Sequence, residues 1–268
     1  MLVLLPYIII GLGVSIGICS AAGYSGALLV VMLIVWFLAG FAAGLVLLVL
    51  LVAVLSLFVD REKPQPEPSR FHGALVTHVM GLLTALFRVR VTVRGLERLP
   101  EGRFLLVGNH RSAFDPIVTG WVLRKRGLVF ISKPENLNIP AAGKILHKAG
   151  FLAIDRENER AALRTILAAA ELLKNDRASV GVYPEGTRNR GEGLLPFHNG
   201  VFKIAQKAKV PVVTVAVRGA DLAARRAPWR ATDVFLDVCG VLDAETVAAS
   251  KTNEIGEAVR ACLSAVTG

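Results

Sequence analysis

Two short stretches of this sequence combine residue types able to do chemistry. The first runs Gly108-Asn109-His110-Arg111-Ser112-Ala113-Phe114-Asp115-Pro116, with a histidine and an aspartate five positions apart just after an apolar run. A histidine whose Nδ1–H is held by a carboxylate directs its other ring nitrogen outward as a base. Five positions on a regular helix amount to about 140° of rotation, so the two side chains meet only if His110 lies in a loop ahead of the helix. A structural reading competes with this one. Asp115-Pro116 has the form of a helix start, Asp as N-cap and Pro at the first helical position, and His110 is then an ordinary loop residue. No Gly-x-Ser-x-Gly elbow accompanies the pair, and a nearby loop serine such as Ser112 is common. Without a protein nucleophile, a base at His110 deprotonates the substrate's own hydroxyl, which describes direct group transfer.

The second stretch, Val182-Tyr183-Pro184-Glu185-Gly186-Thr187-Arg188, takes an apolar run into a turn with an acid, a glycine, a hydroxyl and a guanidinium. Gly186 can adopt backbone angles closed to other residues. Arg188 offers a planar fork suited to phosphate. The pattern lacks the Gly-Lys-Ser/Thr of a nucleotide phosphate loop, and taken alone it also reads as a surface turn.

The elements that must position these loops alternate in type. Val89, Val91 and Val93 alternate with Arg88, Arg90, Thr92 and Arg94, giving a strand with one apolar face. Further strands are expected at Phe104–Gly108, Leu128–Ser132, Phe151–Ile154, Ser179–Tyr183, Val210–Val217 and Val234–Cys239. Helices are expected at Pro116–Arg126, Ala141–Ala149, Glu157–Asn175, Gly200–Ala208 and Thr252–Ala265. Such alternation implies an α/β layered fold around a largely parallel sheet. Both suspicious loops then leave carboxyl ends of strands, where sites gather in such sheets.

Charge divides the chain. The net charge is +10 and the isoelectric point about 9.9, yet the mean hydropathy is +0.54. Position resolves the conflict, because Met1 to Val59 contains no Asp, Glu, Lys or Arg. Residues 1–59 read as an N-terminal membrane-spanning region, 60–70 as a Pro-rich linker, and 71–268 as one folded domain. The uncharged stretch is far too long for a signal peptide and lacks its basic start. A helix needs roughly 20 residues to cross a ~30 Å hydrocarbon core. One span is expected over Leu2 to Ser20, a turn over Ala21 to Gly26, and a second apolar block over Ala27 to Val59. Gly40-Phe41-Ala42-Ala43-Gly44 is a candidate break in that block. Gly11, Gly13, Gly40 and Gly44 allow close helix contact.

In the linker, Arg61, Lys63 and Arg70 favour the cytoplasmic side, and the basic domain suits an anionic inner leaflet. No nucleic-acid reading motif or aromatic-basic platform accompanies the charge, so nucleic acid is not an expected partner. Residues 71–87 carry Leu75, Val79, Leu82, Leu83 and Leu86 at helical spacing, which fits a helix packed on the core, one lying in the membrane interface, or both. Cys19, Cys239 and Cys262 show no metal-ligand spacing and read as small buried hydrophobes. No ligand set for a metal is apparent.

Four blocks together carry a resemblance. They are Asn109-His110-Arg111-Ser112-Ala113-Phe114-Asp115; Phe130-Ile131-Ser132-Lys133 with Ile154-Asp155-Arg156; Tyr183-Pro184-Glu185-Gly186-Thr187-Arg188; and Val210-Pro211-Val212-Val213-Thr214-Val215. In this order they resemble the glycerolipid acyltransferase family typified by 1-acylglycerol-3-phosphate acyltransferases, over most of Val89 to Gly219. The resemblance implies that His110 acts as general base on the sn-2 hydroxyl of lysophosphatidic acid, with Asp115 orienting it. It implies an acyl thioester as donor, acyl-coenzyme A or acyl carrier protein, with no cofactor and no metal. Arg188, helped by Lys133, would bind the acceptor phosphate, while Glu185, Gly186 and Thr187 shape that site and Asp155-Arg156 supports the framework. The implied product is phosphatidic acid, and the implied setting is the cell membrane with the catalytic domain on its cytoplasmic face, among membrane lipids. Four residues depart from the family's usual pattern: Arg111, Thr214 and the pair His198-Asn199. They leave other acceptors open, namely glycerol 3-phosphate, another lysophospholipid or a lyso-aminolipid. A non-catalytic protein that binds anionic lipid is the alternative from another class.

Overall fold

The computed structural model describes residues 2–61, 67–155 and 157–267. Helix α1 (Leu5–Ala22) follows a 3-10 turn at Leu2–Leu4 and ends where Gly23 takes a left-handed conformation, φ 65°. Helix α2 (Gly26–Leu57) returns antiparallel to it. Tyr7, Gly11, Ser15 and Cys19, one helical turn apart, form the buried line of α1, and Gly40 and Gly44 face it from α2. A Cβ on Gly40 would lie 2.9 Å from Val14 Cβ and 3.0 Å from Gly11 Cα. The missing side chains are therefore what let the backbones approach. Ser15 Oγ also donates to Leu33 O at 2.8 Å. The break expected at Gly40–Gly44 does not occur. Those glycines serve the partner helix while α2 runs on unbroken, and Gly13 faces open space. Outward faces carry exposed Ile9, Ile16, Val30, Ile34 and Leu38, and both helices are long and apolar enough to cross a membrane.

Helix α3 (Arg70–Leu86) opens the domain, with Ser69 Oγ accepting from His72 N–H as its cap. Its buried line is Val76, Met80 and Thr84 together with Gly81 and Leu82. The stripe expected from sequence is thus displaced by about one residue, because a domain core and the α1–α2 hairpin compete for the helix. The linker residues Lys63, Pro64 and Pro66, and Arg156, lie outside the described residues.

The strands are β1 (Val89–Arg94), β2 (Leu105–Gly108), β3 (Leu128–Ser132), β4 (Leu152–Ala153), β5 (Ser179–Val182), β6 (Val212–Arg218) and β7 (Thr232–Leu242). They form a seven-stranded sheet in the order β1-β7-β6-β2-β5-β3-β4. Strands β2 to β6 are mutually parallel, whereas β6 and β7 pair antiparallel and β1 follows β7. The helices are α4 (Phe114–Val122), α5 (Pro134–Leu137), α6 (Ala142–Lys148), α7 (Glu159–Lys174), α8 (Lys203–Ala208), α9 (Ala223–Arg226), α10 (Ala244–Ala249) and α11 (Thr252–Thr267). The layered α/β fold expected from alternation is what forms. The short α5, α9 and α10 have no periodic run to announce them.

Apolar side chains fill both faces of the sheet. Leu105, Val107, Val180 and Val212 pack with residues of α7, α8 and α11, while Phe104, Leu106, Val213 and Leu236 pack with Phe114 and Val118 of α4. Buried parallel strands with two covered faces read as continuous apolar runs, as these do. The cysteines are not three independent thiols: Cys239 of β7 and Cys262 of α11 meet across the sheet–helix contact, and that contact, with burial, pushes the Cys239 thiol up.

The hairpin joins the domain at one end. Val3 and Tyr7 pack with Leu82, Ala85 and Leu86 at the end of α3, alongside Leu45 and Leu48 of α2. Val52 and Leu55 lie further back against the main core. Tyr7 OH and His78 Nε2 are 2.9 Å apart. The hairpin therefore projects past the end of α3. That end of the sheet, where β1 and β7 begin, is also where β2 and β6 finish.

Candidate active site

The parallel register brings the two loops of interest side by side. Val107 of β2 pairs with Val182 of β5, so three residues further on His110 meets Glu185. The His110 N–H donates to Glu185 Oε1 at 2.8 Å, and Glu185 Oε2 accepts from Leu195 N–H at 2.9 Å. The carboxylate is buried, with both oxygens on backbone amides. It braces the loops that surround the site. On the other side of His110, its carbonyl accepts from Asn189 N–H at 2.7 Å, and Arg111 Nη1 donates to Gly191 O at 3.0 Å. The backbone of His110 is thus held from both ends by the second loop.

Asp115 is fully buried, and its Oδ2 gathers three groups: Nδ1 of His110 at 3.0 Å and the N–H groups of Arg111 and Ser112, each at 2.7 Å. A buried carboxylate is tolerable only when paired and hydrogen-bonded in this way. Its hold on Nδ1–H leaves Nε2 as the basic nitrogen of the imidazole. The helix-start reading is corrected in detail. Helix α4 begins at Phe114 with Ala113 in the cap position, so Asp115 lies inside the first turn and reaches back over the loop. Ser112 supplies the capping hydroxyl, accepting from Phe114 N–H at 3.1 Å and donating to Ala220 O at 3.0 Å. Its hydroxyl is committed to backbone.

The imidazole stacks on the ring of Tyr183, centroids 4.5 Å apart and planes 22° apart, and Tyr183 stacks in turn on Phe130. Burial pushes the Tyr183 phenol well above its ordinary range, and the Asp115 charge adds to the effect. Asn109, also buried, uses its side-chain amide as a piece of strand: Nδ2 donates to Val217 O at 2.9 Å and Oδ1 accepts from Val217 N–H at 2.8 Å. It ties β2 to β6 where the backbone ladder gives out.

Gly186 has φ 72°, and its N–H closes the turn onto Tyr183 O at 3.0 Å. Thr187 and Arg188 follow as exposed residues, one step before the Asn189 contact with His110. Lys133 is exposed at the carboxyl end of β3, level with Pro184 by the pairing of Phe130 with Gly181. Asp155 is exposed, and its Oδ1 accepts from Glu157 N–H at 3.0 Å. His198 contributes its backbone, donating to Pro184 O at 2.9 Å, and its side chain is exposed.

Three contributors carry no local sequence signal. Asn189 orders the second loop through Gly191 N–H and Gly193 O. Arg260 of α11 clamps the same loop, donating to Leu194 O and Leu195 O at 3.2 and 2.6 Å and lying 4.2 Å from the Phe197 ring centroid. Tyr183 gives its ring to His110. Among the described residues, no group of three or more His, Cys, Asp or Glu side chains is placed to hold a metal ion.

Comparison with known proteins matches these features. Residues 90–218 fit the family model described as Acyltransferase. The 1-acyl-sn-glycerol-3-phosphate acyltransferase of Salmonella typhimurium is 37% identical over 147 residues, which is 54% of this chain and 60% of that protein. The Escherichia coli protein of the same name is 36% identical over the same shares. The human 1-acyl-sn-glycerol-3-phosphate acyltransferase alpha is 36% identical over 49% of this chain and 47% of its own. The matched segment thus spans at most about three-fifths of these three relatives. The crystal structure of a 1-acyl-sn-glycerophosphate acyltransferase from Thermotoga maritima shares the fold, with TM-score 0.57 and 24% identity over 80% of this chain and 85% of that one. The His110–Asp115 pair and the loop bearing Arg188 both lie inside residues 90–218, the segment that fits the acyltransferase family model.

Proposed function

We propose that this protein transfers a fatty-acyl group from an acyl thioester to the sn-2 hydroxyl of 1-acylglycerol 3-phosphate, forming phosphatidic acid. The observation that carries the reading is the buried Asp115 carboxylate holding His110 Nδ1 at 3.0 Å. Nε2 of His110 takes the hydroxyl proton as the oxygen attacks the thioester carbonyl. The new C–O bond forms, the C–S bond breaks, and the imidazolium returns the proton to the departing thiolate. Overall, an alcohol and a thioester give an ester and a thiol. Arg188, with Lys133 on the same rim, binds the acceptor phosphate, and Thr187 lines that approach. Glu185 and Gly186 shape the site through the backbone, one as a brace and the other as a turn. The donor is acyl-coenzyme A or acyl carrier protein.

Residues 1–59 place the enzyme in the membrane as a hairpin, and residues 71–268 form the acyltransferase domain on the cytoplasmic face of the cell membrane. Arg61, between the end of α2 and the start of α3, and Arg70, at that start, favour that side. The test is thiol release by the purified full chain, with each donor offered against a panel of acceptors. Thioester-dependent thiol release with lysophosphatidic acid, matched by phosphatidic acid formation, is the expected result. General base catalysis contributes typically 10²–10⁴-fold, so His110→Ala should lose at least about a hundredfold in turnover while its circular dichroism stays that of the parent. Near-normal turnover in that variant removes the base assignment.

A further inference from the structure

The segment joining α9 to β7, residues 227–231, presents Trp229 with 85% of its surface exposed. An indole left in water is an amphipathic group without its preferred setting, an interface between apolar and wet surroundings. The exposure is built into the fold. Arg88 Nη1 donates to the carbonyls of Pro228 and Trp229 at 3.1 and 3.2 Å, Thr232 N–H donates to Arg88 O at 3.1 Å, and Arg230 N–H donates to Arg226 O at 2.9 Å. Arg225, Arg226 and Arg230, all within four residues of Trp229 in sequence, are exposed, and the acidic residues nearest in sequence are the exposed Asp221 and Asp233.

Position completes the argument. Arg88 directly follows α3 and Phe87, and the last turn of α3 packs on Val3 and Tyr7 at the start of the apolar hairpin. Beside that contact Leu2 and Leu5 are exposed. The hairpin base, the end of α3 and the loop that Arg88 holds therefore follow one another at this end of the domain. The loop also stands past the end of β6, since Arg218 pairs with Phe235 and β7 begins three residues earlier at Thr232.

We propose that this loop is an interfacial anchor, seating Trp229 at the headgroup level of an anionic leaflet while Arg225, Arg226 and Arg230 face lipid phosphates. Tryptophan favours that depth, and basic side chains near an anionic surface add to the attraction. The proposal rests on the reading that the α1–α2 hairpin sits in a bilayer.

The full chain is reconstituted into vesicles of phosphatidylcholine alone, or of phosphatidylcholine with phosphatidylglycerol, in both cases with brominated acyl chains. The fluorescence of Trp229 is the difference between the parent and Trp229→Ala, which removes the contributions of Trp36 and Trp121. Strong quenching of that difference in anionic vesicles is expected. It should fall in Arg225→Ala/Arg226→Ala, each arginine being worth up to roughly fivefold in the docking equilibrium. Equal quenching in neutral vesicles overturns the role given to the arginines. A Trp229 signal untouched by bromine and open to aqueous iodide overturns the anchor, while flotation of the chain with the vesicles shows that the hairpin reading stands. A chain that does not float removes both.

Discussion

Replacing Glu185 by glutamine separates two roles that one carboxylate in such a loop can play. In the structure Oε1 takes the His110 N–H at 2.8 Å and Oε2 takes the Leu195 N–H at 2.9 Å. Glutamine keeps one acceptor and puts an NH₂ group against a backbone N–H, so one bond is lost and two donors face each other. The other bond loses its charge. A hydrogen bond to a charged group contributes about 1.5–3 kcal/mol net, and a buried donor left unsatisfied costs about 1–3 kcal/mol. The variant should therefore lose about 3 kcal/mol locally, roughly a hundredfold in the opening equilibrium. Hydrogen exchange read at the His110 and Leu195 amides should accelerate by about that factor, ahead of exchange in the core strands. Turnover should fall with it, because the strut that holds His110 is the one being cut, and the Tm in detergent should drop. A Glu185→Gln protein with unchanged exchange at both amides, unchanged Tm and only a raised KM for the acceptor would refute the reasoning. It would place the carboxylate on substrate instead.

Arg188→Ala should raise KM for a phosphate-bearing acceptor by roughly tenfold or more, the worth of a charge-assisted pair, in steady-state assays across acceptor concentrations; equal effects on a phosphate-free acceptor would contradict the assignment. Gly40→Val drives side-chain carbon into Val14 and the Gly11 backbone, so it should destabilise the hairpin by about 1–3 kcal/mol, read as a lower Tm in detergent with activity per folded molecule preserved. Tyr183→Phe keeps the ring stack on His110 and removes a phenol whose ionisation is pushed up by burial and then by Asp115. That phenol's contribution is complete below its unfolded value of about 10 and is lost as pH rises toward the folded value. The variant should therefore resist alkaline unfolding better than the parent, with circular dichroism against pH as the check.

Much of the fold lay in period and composition. The Val/Arg alternation of Val89–Arg94 gives a strand with half-buried valines, and the charge-free start gives two long apolar helices. The turn ahead of α2 followed from glycine placement, although α1 runs two residues past the expected Ser20, to Ala22. The continuity of α2 through Gly40–Gly44 did not, because a glycine pair looks alike whether it breaks a helix or admits a neighbour. The decision rests with Gly11 and Val14, some thirty residues earlier in the chain. The same holds at the site. Its residue types were legible at His110, Asp115 and Glu185, but the bond partners were not. Glu185 meets His110 only because β2 and β5 pair in one register, and Arg260 reaches its loop from the last helix. Local sequence also placed the start of α4 two residues late, since Asp-Pro resembles a cap more than Ala113 does.

The orientation of the site gives the membrane reading its sharpest physical consequence. From Gly26 to Gly44, ahead of the Leu45 and Leu48 contacts with the end of α3, α2 extends about 28 Å at 1.5 Å per residue. That matches a hydrocarbon core of about 30 Å, so the hairpin's base falls at the headgroups once its tip has crossed. The domain meets that base through the end of α3, and the carboxyl ends of β2 and β6, with His110 just beyond β2, lie at the same end of the sheet. A lysophospholipid would then present its phosphate and hydroxyl to Arg188 and His110 without leaving the leaflet that holds its acyl chain. Extraction would cost about 0.8 kcal/mol for every buried CH₂, an expense for which the exposed rim around Thr187 and Arg188 offers no apolar compensation. On this arrangement turnover should follow the surface density of acceptor in the vesicle rather than its bulk concentration, and dilution with inert lipid at fixed bulk acceptor should slow the enzyme. Rates indifferent to such dilution would mean that the acceptor reaches His110 through water, and that the hairpin does no more than tether the domain.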